Sequence, residues 1–240
     1  MRGTDAVHRA ALRSCRRVLA LLALLAVLVQ CARPEPPQAA TTTSVSAPSL
    51  PAHTPAGAVV QPVTAADLGA SWHPGCPVEP AQLRRVRLSH RGFDGQPHDG
   101  ELVVHQDLVP AVIDIFEQLL RVGYPIERMQ NVDQYPGADD ELSMEDNNTS
   151  AFNCRTIPGT GRWAQHAYGR AIDLNPRLNP CLYSSGNVEP HNAATYLDRG
   201  RTDAGLLHRG DPAVRAFTDR GWQWGGDWTT PIDYQHFERP

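Results

Sequence analysis

A folded domain mixing helices and strands is what this sequence predicts, on three observations. Short strand candidates, Val86-Arg87-Leu88 and Leu102-Val103-Val104, flank a turn region running from Gly92 to Gly100. After Asp107, apolar residues recur at helical spacing at Val109, Val112, Ile113, Phe116, Leu119 and Leu120. Further on, Ala171-Ile172-Asp173-Leu174-Asn175 alternates apolar and polar as a half-buried strand does, and Asp211-Pro212 opens a second helical stretch.

Each element carries its own punctuation. Asp107 is placed to cap the first helix, and Gly123 to stop it, which makes that helix a major core element. In the 171–175 strand, Ile172 and Leu174 face the core and Asp173 faces the other side, until Pro176 ends the run. The second helix takes Asp211 as cap and Pro212 in its first turn, where a missing N–H costs nothing. It continues through Val214 and Phe217 to Gly221.

The 240-residue chain does not enter this domain at once. Arg2, Arg9, Arg13, Arg16 and Arg17 precede an uncharged apolar run from Val18 to Val29, the layout of a secretory signal over residues 1–31. At about 1.5 Å per residue that run is too short to span a hydrocarbon layer of roughly 30 Å. Leu28-Val29-Gln30-Cys31 resembles a bacterial lipoprotein signal, whose cysteine is lipidated and holds the protein to a membrane. Gln30 stands where such signals carry a small residue, so ordinary cleavage and release stays open. Residues 32–64 are rich in Pro, Ala, Thr and Ser and bury too little to recover their ordering entropy; they read as an extended linker. The domain is expected over residues 65–240.

An exported protein sits where disulfides persist, and Cys76, Cys154 and Cys181 follow the signal. One disulfide and one free thiol is the simplest count. Three pairings are open and spacing does not choose among them, with Cys76–Cys154 preferred. No CxxC pair supports a thiolate zinc site. The net charge of −4 gives no excess of positive charge to follow a phosphate backbone, so nucleic acid is not an expected partner.

The chemistry-bearing groups concentrate in Asn153-Cys154-Arg155, in the run from His166 to Asp173, and in Asp233 to Phe237. A catalytic zinc takes three nitrogen or oxygen ligands and keeps a fourth position for water, and His166, Asp173 and His236 supply such a set. On one straight helix His166 and Asp173 would lie about 10.5 Å apart along the axis, too far for one ion. Gly169 instead allows a tight turn between a loop carrying His166 and the strand carrying Asp173, with His236 coming from a separate strand. Asp233, three residues before His236, is the candidate base, and Arg155 the candidate oxyanion partner. The other eight histidines read as surface or structural residues.

The HxxGxAxD pattern of His166, Gly169, Ala171 and Asp173, with DxxHF at Asp233, His236 and Phe237, resembles the zinc D-alanyl-D-alanine carboxypeptidases of the VanY-like type. The likeness extends to Asn148 through Arg155, Trp163, Asn175-Pro176, Asn179-Pro180 and Gly221 through Trp228, covering roughly Trp72 to the C-terminus. It implies that His166, Asp173 and His236 bind one Zn2+, that Asp233 is the base and that Arg155 is the substrate or transition-state arginine. Ala164 departs from the family, which carries serine two residues before the first histidine; activity is expected to be tuned rather than lost. The fold implied is α+β, a small antiparallel sheet with flanking helices, shared with the Hedgehog signalling domain.

The substrate implied is the peptide part of peptidoglycan, met by a monomer in the cell envelope or outside it. D-alanyl-D-alanine carboxypeptidase is the leading activity. An endopeptidase, for example of the L-Ala-D-Glu type, and a non-catalytic zinc-stabilised wall-binding module are the alternatives. Trp222, Trp224 and Trp228 fit core packing at least as well as a pocket wall. The sequon-like stretch Asn147-Asn148-Thr149-Ser150 is assigned to a substrate-side loop.

Overall fold

The structure, a computed structural model, describes residues 57–240. The expected signal, Cys31 and most of the expected linker lie outside the described residues. No helix among the described residues is long and apolar enough to cross a membrane.

Folded structure begins before the expected boundary at residue 65. Strand β1 (Val59–Pro62) pairs antiparallel with β2 (Leu83–Arg91), Val60 opposite Val86. Pro62 ends an edge strand, the one place in a sheet where a missing donor is harmless. Thr64 then caps the short helix α1 (Ala65–Leu68) in a reciprocal box with Asp67.

Strand β2 forms a hairpin with β3 (Pro97–His105), in register from Leu83 opposite His105 to Arg91 opposite Pro97. Alternation puts both faces of this sheet to use. Val86, Leu88, Leu102 and Val104 face the main core, whereas Leu83 and Val103 join Leu68, Phe152 and Cys154 in a second cluster.

Helix α2 (Val109–Arg121) lays Val112, Ile115, Phe116 and Leu119 into the main core, all at most 1% exposed. Asp107 does not cap it. A single tight turn, Gln106–Leu108, intervenes, and Pro110 removes one of the first-turn donors that a cap would satisfy. Gly123 ends the helix as expected: at φ 72° its N–H reaches Leu120 O, and that of Tyr124 reaches Leu119 O.

The remaining strands are only two or three residues long. β4 (Arg128–Met129) pairs in parallel with β5 (Asn148–Thr149), with α3 (Asp140–Glu145) between them in sequence. β6 (Ala171–Asp173) pairs with β11 (His236–Glu238), which also pairs with β9 (Gln223–Trp224). β7 (Cys181–Leu182) lies between β8 (Val188–Glu189) and β10 (Ile232–Asp233). The fold is thus mixed helix and strand, but the single antiparallel sheet expected is divided into three three-stranded ones and a parallel pair. Pro176, Pro180, Pro190 and Pro231 lie beside these strands and cannot extend their ladders.

Helix α4 (Pro212–Thr218) packs behind the β6-β11-β9 sheet, stacking Phe217 on Phe237 at 3.9 Å between centroids. Asp211 precedes it, but its carboxylate accepts from His208 N–H rather than from the helix. Trp222 and Trp224 join this core, whereas Trp228 lines a cavity together with His166, Asp173 and His236.

Asn147 and Asn148 are fully buried, which corrects their assignment to a substrate-side loop. The Asn148 amide donates to Gln130 O and Ser143 Oγ, and Asn147 Oδ1 accepts from the Arg177 and Leu178 amides. Buried amides with several partners fasten chain segments together, so the Asn-rich stretch is scaffold. Cys76 and Cys154 form a disulfide, and Cys181 is buried and free.

Candidate metal centre

Three ligand-type side chains are delivered by two adjacent strands and one tight turn. Asp173 on β6 and His236 on β11 are direct cross-strand partners, so the ladder sets their spacing. His166 rides a single helical turn, Gln165–Tyr168, that ends at Gly169 in the left-handed region. A Cβ on Gly169 would come within 2.7 Å of the His105 nitrogen and 2.8 Å of Leu83 Cδ2, so glycine is required by both φ and space.

The donor atoms converge. His166 Nε2 lies 3.1 Å from Asp173 Oδ2 and 3.2 Å from His236 Nδ1, and His236 Nδ1 lies 3.0 Å from Asp173 Oδ1. All three residues are at most 8% exposed. The far ring nitrogens are engaged: His166 Nδ1 lies 2.5 Å from Ala151 O, and His236 Nε2 lies 3.1 Å from Glu238 Oε2. When each far nitrogen carries the proton, Nε2 of His166 and Nδ1 of His236 turn lone pairs toward Asp173.

The electrostatics favour a cation at this point. Burial would raise the Asp173 carboxyl, but the charges and hydrogen bonds of His166 and His236 hold it well below the usual carboxylate range. Burial would likewise lower His236, but its hydrogen bonds to Asp173 and Glu238 push it up. Two imidazoles and a carboxylate, with their outer nitrogens already satisfied, are the donor set of a divalent ion with an open position.

The three residues line a cavity of about 440 Å³ whose lining also includes Arg155, Trp163, Trp228 and Asp233. Asp233 Oδ1 is shielded from solvent and has no hydrogen-bond partner among the described residues. Burial pushes this carboxyl up to about 6, against the pull of His236. Asp233 stands directly opposite Cys181 in the β10–β7 ladder. Arg155 Nη2 lies 2.7 Å from Asp140 Oδ2, so α3 orients the arginine.

Sequence reasoning singles out His166, Asp173, His236, Asp233 and Arg155, and the fold brings all five to one cavity. It misses Glu238. The available signal is its place two residues after His236 on a strand, where i and i+2 share a face. We predict that Glu238→Ala weakens metal affinity by roughly 10–100-fold, measured by competition with a chelator; unchanged affinity would refute a role through His236.

Two other groupings of ligand-type side chains occur among the described residues. His73 lies beside Cys76 and Cys154, but their sulfurs are joined to each other and are not thiolates. Glu141, Glu145 and His191 are more exposed, and His191 is ion-paired with Glu141.

Comparison with known proteins bears on the C-terminal part of the chain. No curated protein and no solved structure matches the sequence. Residues 158–239 match a family model described as D-alanyl-D-alanine carboxypeptidase. The matched stretch takes in His166, Asp173, Asp233, His236 and Glu238, while Arg155 precedes it; the part of the chain that carries the His166, Asp173 and His236 cluster is similar to these peptidases.

Proposed function

We propose that this chain is a zinc peptidase of the bacterial envelope that hydrolyses the peptide part of peptidoglycan, with D-alanyl-D-alanine carboxypeptidase as its leading activity. The convergence of His166 Nε2, Asp173 and His236 Nδ1 on a cavity that Asp233 also lines carries this reading. The Arg-rich, apolar N-terminus and the Cys76–Cys154 disulfide support export, with Cys31 a candidate lipid anchor.

His166, Asp173 and His236 would hold the ion. Zinc so held supplies a Lewis acid and brings the pKa of a water ligand toward ~7. Asp233 accepts a proton from the attacking water at its carboxylate and returns it to the leaving amine. Burial favours this shuttle, because it raises the carboxyl and makes its ionised form a better proton acceptor, against the hydrogen bond from the Cys181 thiol. Arg155, held by Asp140, offers a permanent positive charge to the oxygen that gains negative charge during attack. Trp163 and Trp228 line the cavity and give its wall apolar surface.

Mass spectrometry of stem peptides incubated with the zinc-loaded protein tests the reading, with His166→Ala as control. Loss of one terminal alanine only with the intact site is the expected result. An internal cut would make the protein an endopeptidase, and no cleavage despite stoichiometric zinc would leave a wall-binding module.

A further inference from the structure

The sheet that carries the candidate base has a second carboxylate on the same face. Asp233 stands opposite Cys181 in the β10–β7 ladder, and Cys181 stands opposite Glu189 in the β7–β8 ladder. Directly opposed residues share a face of a sheet, so the three side chains form one row across it. That face is a wall of the cavity, since Asp233, Cys181 and Glu189 all line it, with Tyr183 beside them. The Tyr183 hydroxyl donates to Glu189 Oε2 at 2.7 Å and so orients a carboxylate that is only partly buried.

The neighbouring carboxylates of the cavity are engaged. Asp140 pairs with Arg155, Glu238 with His236, and Asp173 with both histidines of the cluster. Glu189 lines the same cavity with no cationic partner among the described residues.

We propose that Glu189 is a specificity-determining residue that binds a primary ammonium of the substrate peptide through a charge-assisted hydrogen bond. The inference rests on the peptidase reading and names a feature of the peptide that the site selects. An ionised carboxylate only accepts, so its partner is a donor, and a cationic one binds most strongly. The Tyr183 hydroxyl on Oε2 works against the two-oxygen fork that a guanidinium prefers, whereas an ammonium is a point charge that needs one oxygen. Opposed residues have Cβ atoms about 5 Å apart, so two steps along the row put Glu189 about 10 Å from Asp233. Extended peptide advances about 3.3 Å per residue, so this distance is roughly three residues of chain, or fewer when a long side chain spans part of it. The ammonium is therefore on a side chain or at the N-terminus of the peptide.

Three peptides separate the two positions of the charge. Acetyl-Lys-D-Ala-D-Ala has its ammonium on the side chain, Lys(acetyl)-D-Ala-D-Ala has it at the N-terminus, and the diacetylated peptide has neither. Their kcat/KM is measured with the zinc-loaded full-length protein and with Glu189→Gln, which keeps the shape and an acceptor for Tyr183. The wild type is expected to favour at least one ammonium peptide over the diacetylated one by about tenfold, mainly through KM, and the favoured peptide identifies the position. With Glu189→Gln that ratio should fall to about one. Glu189→Lys should reverse it and favour a peptide whose lysine is succinylated.

Equal kcat/KM for the three peptides in the wild type, or a preference that survives Glu189→Gln, would overturn the proposal. A lower melting temperature together with an equal loss on all three peptides would make Glu189 structural and overturn it too. Failure of the peptidase reading shows separately, as cleavage of none of the peptides by the wild type. Calorimetric binding of the same three peptides then makes the comparison, and equal affinities or no binding would overturn the role of Glu189.

Discussion

Asp233→Ala is expected to lower kcat by roughly 10²–10⁴-fold while the protein still binds one zinc ion. The separation of the two effects follows from position. The three ligand residues place donor atoms within 4.8 Å of one another, and Asp233 is not in that group. The backbone of Asp233 remains paired with Cys181, so the strand survives truncation of its side chain. Asp233→Asn preserves shape without basicity and should lose activity almost as fully. Metal content by elemental analysis, beside steady-state kinetics on a stem peptide, makes the comparison. Full activity of either variant would remove Asp233 from the mechanism, and loss of zinc would recast it as a ligand.

Opening the Cys76–Cys154 disulfide should destabilise the domain by roughly 2–5 kcal/mol, near the upper end because the cross-link closes a 78-residue separation. For a domain of this size that amounts to a fall in Tm of about 10 °C. Activity should suffer as well. Cys154 is bonded through its backbone N–H to Ser71 O and immediately precedes Arg155, so the cross-link fixes the chain just before the arginine enters the cavity. Thermal melts and kinetics of Cys76→Ser/Cys154→Ser, against protein treated with a reductant, measure both effects. A Tm within a degree or two of wild type would show that the second cluster of Leu68, Leu83, Val103 and Phe152 holds without the cross-link.

The two effects differ in origin. Asp233 acts in the folded state, where one carboxylate in a shielded wall holds or releases a proton. The disulfide acts largely on the unfolded chain, by removing conformations from it, though strain and residual structure also enter. Changes at Asp233 should therefore leave the melting transition nearly in place, while changes at Cys76 and Cys154 should move it and loosen Arg155 at the same time.

Local rules make several elements legible from the order of residues alone. The helical recurrence from Val109 to Leu119, the glycine that stops it and the alternation around Asp173 are properties of a few neighbouring residues. The turn at Gly169 is equally local, and its required φ is one that glycine adopts freely. The same rules fail at two places. Asp107 has the chemistry of a cap but sits one tight turn too early, and Asn147-Asn148 has the composition of a loop but lies in the interior. At Asp107 the cause is local, the turn and Pro110 that open the helix; at Asn147-Asn148 chain distant in sequence, at Gln130 and at Arg177-Leu178, supplies the partners.

The sequence by itself determined which residue types stand at which spacing: two histidines and an aspartate for a metal, a second aspartate three residues before the last ligand, and strands and helices with their faces assigned. Only the tertiary structure decided that Asp173 lies opposite His236, that Glu238 and Ala151 O engage the outer ring nitrogens, and that Asp140 pairs with Arg155. Periodicity states which face a side chain occupies. Its partner across a ladder or a cavity depends on strand register and loop closure between residues tens of positions apart, and these are settled only when the whole core packs.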